Sequence, residues 1–496
     1  MTTSERAAAP SGGRAAGAGD LLDDYGLYVD GRWVAPERGR FDDCCPTTGE
    51  VVARVPDADV GQVAAAIGVA RSTADGGVWS GADPAFRAAC LTQLSDALRR
   101  HRGELVALSR VEWGNTASGD LLQIDAGTHL AAGTAPLAAL PTEETEAGPA
   151  GPVVVRHAPV GVVSVITPWN FPHTINLLKV APALAAGNTV VLKPSPLAPM
   201  AALALAHLVD TETDIPAGVL NVVPTSSQEA SEALVLDPRV DMVSFTGSTA
   251  TGRVIMAMAG RTLKRLLLEL GGKSACILLD GVDLDALLGR LAFECCTMHA
   301  GQACILQSRL LVPVRLHDEV AERLGALVAA TRVGDPVEGA EMGPLISAAQ
   351  RSRVEALVAT ALTEGARVVT GGRRPGGLDH GHFYEPTVLT GVAPSSTIAQ
   401  SEVFGPVLSI LAYRDEDEAV AIANDSAYGL SGAVHGPDPE RATAVARRLR
   451  TGQVAVNGAT PAGAPFGGFK QSGLGREGGL SGLRQYTETQ AIGVPR

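Results

Sequence analysis

Positive charge is scarce in this chain. Its 496 residues carry 40 Lys and Arg against 53 Asp and Glu, a formal net charge of −13. No long basic run offsets the deficit. A protein that grips a phosphate backbone needs a positive footprint, so nucleic acid is not an expected partner, and an anionic membrane surface is disfavoured for the same reason. Apolar runs are short as well. The stretch 200–209 is among the longest, far below the roughly 20 residues that a membrane-spanning helix needs. The N-terminal residues, rich in Ala, Gly and Ser and carrying Glu5, Arg6 and Arg14, lack the apolar segment of a secretory signal. Residues 1–19 read as a flexible tail. Paired cysteines are missing too: Cys44, Cys45, Cys90, Cys276, Cys295, Cys296 and Cys304 are an odd number, with no CxxC and no zinc spacing. No metal site is expected. Reduced thiols in a cytoplasmic setting fit best, most of them as small buried residues.

What is present reads as globular and multi-domain. Hydrophobic residues make up 46% and charged residues 19%, far from a disordered composition, and the chain is too long for one core. Short β-branched runs bounded by Gly or Pro occur at 161–166, 189–193, 218–223, 241–245 and 275–279, the pattern of buried parallel strands. Helical stretches lie between them, near 174–186, 199–209, 228–236 and 250–259. This alternation predicts an α/β fold with an open, doubly wound sheet. An amphipathic stretch follows at 284–298. The alternation then restarts, with strands at 308–314, 366–370, 405–412, 430–435 and 452–457 and helices near 316–331, 347–362, 416–423 and 438–450. Two α/β units in succession predict a ligand cleft between them. Upstream, helices are expected at 59–72, 84–103 and 103–112, and the polar segment 141–150 reads as a linker or edge.

Two motifs are decoys. Gly473, Gly475 and Gly478 spell GxGxxG, but too little chain follows for a βαβ unit. The stretch 271–274, GGKS, resembles the end of a phosphate loop, but the upstream glycine it requires is Leu267.

Four other stretches carry chemistry. TPWNFP at 167–172 follows a predicted strand, and the Asn170 amide can stabilise an oxyanion. FTGSTATG at 245–252 opens a helix, so Gly247, Ser248 and Thr249 can offer backbone N–H groups to a phosphate. ELGGK at 269–273 places Glu269 beside a leucine run, where a carboxylate gains basicity. GQAC at 301–304 puts Cys304 on a glycine-bearing loop, where a thiol can be exposed and reactive. Taken singly, each has a plainer reading: a turn former, a helix cap, a solvent-facing carboxylate and a core cysteine.

Taken in order, TPWNFP, KPS, FTGST, ELGGK, GQxC, EVFGPV and PFGGFKQSG, they resemble the aldehyde dehydrogenase superfamily over roughly residues 22–490. The resemblance implies a Rossmann-like cofactor domain from 20–138 and 159–272. It further implies an α/β catalytic domain over 273–478 and a small β oligomerisation element from 139–158 and 479–496. It implies that Cys304 is the nucleophile, Asn170 the oxyanion donor, Glu269 the base that activates water on a thioester, and Lys179 a supporting residue. It implies cofactor contacts from Thr167, Pro168, Trp169, Lys193, Ser195, Gly247, Ser248, Leu270, Glu402 and Phe404. The cofactor implied is NAD, with NADP possible, and the substrate a small-molecule aldehyde. A homodimer or homotetramer is the implied assembly. Glu269 favours hydrolysis of the thioester over transfer to coenzyme A, and the KPS, FTGST and EVFGPV stretches disfavour a cysteine hydrolase without a cofactor. Two departures stand out. Pro196 takes a position where many NAD-preferring members carry an acid that repels a 2′-phosphate. Ile305, Leu306 and Gln307 replace small residues after Cys304, which predicts an apolar, narrowed substrate pocket.

Overall fold

The computed structural model describes residues 25–149 and 151–495; the expected tail, 1–19, lies outside the described residues. Val162–Ile166, Thr189–Lys193, Leu220–Val222 and Met242–Thr246 are strands close to where their composition predicts them. Arg265–Glu269 joins as a fifth. Its leucines would serve a helix equally well. The deciding element is remote, since Met242–Thr246 offers a parallel edge that sets Thr246 opposite Glu269. All five strands are parallel. Helices Pro172–Ala185, Met200–Glu212, Gln228–Leu236 and Thr249–Ala259 connect them. Alternate residues of each strand enter opposite cores: Val163, Val165 and Val190 on one face, Val162, Val191 and Val243 on the other. Gly473–Leu474 extends the sheet at one margin, Leu27–Val29 and Arg32–Val34 at the other.

Strand order creates a crevice. The chain lays down Val162–Ile166, adds two strands on one side, then returns to the other side with Met242–Thr246. Ligands of open α/β sheets bind where such connections diverge, beyond the carboxyl ends of the strands. Residues 167–170 and 247–249 stand at that point.

A second, seven-stranded sheet runs in the order 367–370, 387–390, 407–413, 309–313, 275–278, 432–435, 455–456. The amphipathic stretch expected over 284–298 is not one helix. It is helical over Leu284–Ala292, makes a single π turn over Phe293–Thr297 and then stops. A third, antiparallel sheet joins Thr487–Gly493, Gly151–Pro159 and Glu143–Gly148. The polar segment at 141–150 is therefore largely an edge strand, whose exposed glutamates suit an unpaired edge. Helices Val60–Asp75, Pro84–Arg100 and Arg102–Glu112 lie as predicted. Ala126–Ala138, rich in Ala and Gly and containing Pro136, has no legible period; it is helical because it packs between 84–100 and 172–185. Among the described residues no helix is long and apolar enough to cross a membrane.

Candidate active site

The first sheet delivers its polar residues at strand ends. Thr167 follows Ile166 directly, and its N–H donates to the Lys193 carbonyl at 3.2 Å. Lys193 itself ends the adjacent strand, opposite Ile166. Asn170, only 3% exposed, closes the turn before Pro172 opens a helix. Ser248 caps the helix Thr249–Ala259, its Oγ accepting from Thr251 N–H at 3.1 Å. The plainer capping role is therefore real, and it leaves the other first-turn N–H groups facing the crevice. Glu269 ends its strand, and Gly271 and Gly272 follow.

The second sheet delivers Cys304 by a different device. After the π turn, His299, Ala300 and Gly301 adopt φ of 48°, 50° and 73°, all left-handed. Only the last is glycine. Gln302 fixes this loop: its Nε2 donates to the His299 carbonyl at 3.1 Å and its Oε1 accepts from Ile346 N–H at 2.9 Å. The Gln302 carbonyl accepts from Asn170 Nδ2 at 2.8 Å. Asn170 is thus tied to the cysteine loop, and the second hydrogen of its amide stays available. Among the seven free cysteines, Cys304 is half-buried and Cys44 exposed, while the other five are buried. Burial first, then the charges of Glu402 and Glu269, push the Cys304 thiol above its ordinary value. Of the three bulky residues expected to shape a pocket, Ile305 is half-buried, while Leu306 and Gln307 turn inward.

Glu269 has both carboxyl oxygens buried without a hydrogen-bond partner. Burial, followed by the neighbouring charge of Glu477, holds it well above the ordinary carboxylate range; Lys179 and Arg476 oppose this. A Cβ at Gly467 would lie 2.8 Å from Glu269 Oε1, so a glycine keeps space open beside the carboxylate. Lys179 is fully buried. Its amine donates to Glu477 Oε1 at 2.7 Å and to Ser244 Oγ at 3.2 Å. The structure therefore sets Lys179 in an ion pair with a residue that the sequence reading missed. The decoy glycines supply the reason: Gly473, Gly475 and Gly478 all have positive φ, and the tight path they allow folds Glu477 back against the sheet. No spacing in the sequence signals this.

Facing Cys304 is a cleft of roughly 300 Å³, lined by Trp169, Asn170, Ser248, Cys304, Glu402 and Phe404 among others. Pro168, Gly247 and Leu270 also line it; Thr167, Lys193 and Ser195 do not. Lys193 is buried at its strand end, and desolvation brings its amine down to about 8. Glu402 accepts from Gly272 N–H at 2.9 Å. Burial raises its carboxyl to about 6 against the pull of that N–H, Arg353 and Lys273. The paired glycines are a contact requirement. A Cβ at Gly271 would sit 2.3 Å from Glu402 Oε2, and one at Gly272 would sit 2.3 Å from the Cys304 carbonyl. Phe404 is held left-handed, φ 58°, with its ring edge-on to Trp169 at 5.2 Å. Gln350, unremarked in the sequence, donates to the Phe404 carbonyl at 2.7 Å.

This cleft fits a dinucleotide. It lies at the sheet's switch point, it opens on the N-terminus of the helix Thr249–Ala259, which suits a pyrophosphate, and it ends on a carboxylate and two aromatic rings beside a thiol. Among the described residues no cluster of His, Cys, Asp or Glu is arranged to hold a metal ion.

Comparison with known proteins gives a consistent result. The sequence profile of the Aldehyde dehydrogenase family matches residues 33–492. Geranial dehydrogenase of Castellaniella defragrans is 40% identical over 477 residues, covering 95% of this chain and 99% of that one. A crystal structure of betaine aldehyde dehydrogenase from Staphylococcus aureus in complex with NAD+ superposes with a TM-score of 0.93 at 35% identity, covering 96% of each chain. A mutant of aldehyde dehydrogenase C from Pseudomonas syringae, crystallised with NAD+ and octanal, gives 0.90 at 38% identity, covering 95% of this chain and 96% of that one.

Proposed function

The chain belongs to the aldehyde dehydrogenase family, an NAD-using enzyme family of mixed α/β fold, and from that premise we propose that it oxidises an aldehyde to a carboxylic acid through a thioester on Cys304. The observation that carries this reading is the convergence on one half-buried thiol of an anchored amide, Asn170, and a buried, unpartnered carboxylate, Glu269.

An aldehyde has no leaving group, so loss of hydride requires an electron-rich tetrahedral centre. Cys304 supplies it: the thiol gives up its proton to solvent and, as the thiolate, adds to the carbonyl carbon, giving a hemithioacetal. Its oxyanion is held by the free hydrogen of Asn170 Nδ2 and by the Cys304 backbone N–H. NAD, when bound, accepts the hydride. Collapse of the oxyanion then leaves an acyl-thioester. Glu269 takes a proton from water as the water adds to the thioester carbon, and the acid departs with Cys304 again a thiolate. A carboxyl whose proton is favoured by burial is the stronger base once ionised, and the positive charges of Lys179 and Arg476 oppose that burial and the Glu477 charge. Glu402 would accept from the nicotinamide ribose, Lys193 would donate to the adenosine ribose, and the N–H groups around Gly247 and Ser248 would hold the pyrophosphate. Thr167, Pro168, Trp169, Ser195 and Leu270 would frame the cofactor, with Phe404 packed on Trp169. Pro196 presents no carboxylate to repel a 2′-phosphate, so NADP belongs in the test.

The same reading divides the chain into a cofactor domain (20–138 and 159–272), a catalytic domain (273–478) and an oligomerisation element (139–158 and 479–496). Both outer strands of the three-stranded sheet are exposed, which supports a homodimer or homotetramer. The free cysteines are in keeping with a cytoplasmic setting.

The test follows nicotinamide reduction with propanal, using NAD and NADP separately, in wild type and Cys304→Ala. Reduction that vanishes in the variant supports the thioester route. Reduction that survives the loss of the thiol overturns it.

A further inference from the structure

The cofactor cleft occupies one side of Cys304; the residues flanking Cys304 and Asn170 in the chain lead elsewhere. Ala303, Ile305 and Leu306, next to Cys304, and Phe171, next to Asn170, join a separate apolar cluster with Leu122, Phe293 and Met298. None of these lines the cleft. Leu122, Phe171, Phe293 and Ile305 are only partly buried, so the cluster presents an open apolar face one residue from both reacting groups.

That face is built deliberately. Leu122 lies in a single π turn, Leu121–Asp125, a distortion that re-aims side chains at functional sites. The Thr174 hydroxyl secures the turn, lying 2.9 Å from the Leu122 carbonyl and 3.0 Å from that of Gln123. Phe293 opens a second π turn, Phe293–Thr297. The surrounding charges are neutralised. Asp120 is held by Arg110 at 2.7 Å and Asp125 by Arg102 at 2.6 Å. Glu294 is held by Arg290 at 2.6 Å, and Arg290 donates again to the Gly458 carbonyl. Lys179, the cation of the helix that follows Phe171, is paired with Glu477. The segment 451–469, which meets Arg290 at Gly458, contains no Asp, Glu, Lys or Arg. His299 stacks tilted on Phe171 with ring centroids 5.4 Å apart, and burial keeps it and His173 uncharged at neutral pH, pushed down to about 3 and about 4.

We propose that the aldehyde this site accepts carries an uncharged hydrocarbon tail, seated on Leu122, Phe171, Phe293 and Ile305. Aldehydes with a quaternary ammonium, amine or carboxylate at the far end are poor substrates. A charged end would lose water on this face, since the carboxylates beside it, Asp120, Asp125 and Glu294, are each held by an arginine and the Phe171 ring is already met by His299. The unpartnered Glu269 acts on the thiol at the reacting end, not on the tail. The proposal rests on the activity proposed above. It also separates this chain from relatives of equal overall similarity, because neither fold nor family fixes the tail.

The test compares kcat/KM for propanal, octanal, trimethylammonio-acetaldehyde and succinic semialdehyde with saturating NAD. Octanal is expected to exceed both charged aldehydes by on the order of 100-fold. Leu122→Ala is expected to lower the octanal-to-propanal ratio by about 10-fold. Calorimetric titration of Cys304→Ala, which cannot turn over, should show heat of binding for octanal and none for the charged aldehydes at the same concentration. Propanal oxidised with either charged aldehyde equal to octanal overturns the tail assignment alone, as does a Leu122→Ala ratio equal to wild type. If no aldehyde, propanal included, is oxidised, the activity falls and the tail assignment falls with it.

Discussion

The two large sheets supply the same site by different means. The first places Thr167, Lys193, Ser248 and Glu269 at or just beyond the ends of parallel strands, where hydrogen-bonded neighbours fix the backbone before any side chain is considered. The second holds Cys304 and Glu402 on loops whose backbone is held in unfavourable conformations, at His299, Ala300 and Phe404. Strand ends position a residue through the sheet register. Strained loops position it only while tertiary contacts such as Gln302 over-determine them. The first kind of position should tolerate chemical replacement without loss of geometry; the second should fail geometrically on small provocation.

Glu269→Gln gives the largest expected effect on the first kind. The amide keeps the shape of the carboxyl but cannot take a proton, so steady-state turnover should fall roughly 10²–10⁴-fold. Geometry is preserved, so the first turnover should still yield one reduced nicotinamide per active site as a rapid burst. Stopped-flow absorbance distinguishes the steps. A burst that disappears together with the steady state would mean that Glu269 acts before hydride transfer, as the acceptor of the thiol proton.

Gly272→Ala tests the junction of the two sheets. The added Cβ would stand 2.3 Å from the Cys304 carbonyl and 3.4 Å from the Leu430 side chain, so the cysteine loop must move. Displacement of a reacting group by about 1 Å costs on the order of 10²-fold in rate, and kcat should fall accordingly. Gly289→Ala is the matched control: its Cβ meets nothing within 4 Å on an exposed helical face, and it should leave kcat unmoved while stabilising the helix by about 0.5–1 kcal/mol. Equal kcat in both variants would remove the contact reading of the paired glycines.

The same contrast governs how much of the molecule was legible. Strand-end residues are readable because the cue is local: a β-branched run, then a polar or glycine-bearing turn. Asn170 and Ser248 announce themselves this way, as does the α/β alternation; Glu269 is marked by its motif, while the strand it ends is not. Glu477 does not, because it reaches Lys179 only through a glycine path that mimics a nucleotide motif. Gln302 looks like one more polar loop residue until three of its hydrogen bonds reach distant segments, at Asn170, Pro344 and Ile346. The break at Ala292 is hidden because the apolar period of 284–298 continues through the π turn. The strand Arg265–Glu269 and the helix Ala126–Ala138 are likewise set by neighbours far away in sequence.

Glu402 offers a third test, smaller and dependent on pH. Its carboxyl sits at about 6 rather than near 4.5, chiefly through burial. In the proposed contact with the nicotinamide ribose, the ionised form accepts hydroxyl hydrogens far better than the protonated one. As pH falls through 6 the binding form is lost, so kcat/KM for NAD should decline about 10-fold per unit below that point and stay flat above it with respect to this group. Glu402→Gln should lower the plateau and abolish the inflection. An inflection that survives in the variant belongs to another group.

The smallest effects separate strain that serves the site from strain that does not. Leu263 is left-handed, φ 52°, and 91% exposed in the turn before Arg265–Glu269. It touches no site residue, and Leu263→Asn should stabilise the fold by about 1 kcal/mol with kcat unchanged. Ala300, φ 50°, is buried four residues before Cys304. Ala300→Gly relieves a similar strain, but it removes a buried methyl worth about 0.8 kcal/mol and frees the loop backbone. Denaturant midpoints should therefore barely move, while kcat should fall about 5-fold, because a glycine here widens the range of positions open to the thiol. If Ala300→Gly stabilised the protein as much as Leu263→Asn and left kcat intact, the left-handed run would be incidental, and Gln302 alone would suffice to hold Cys304.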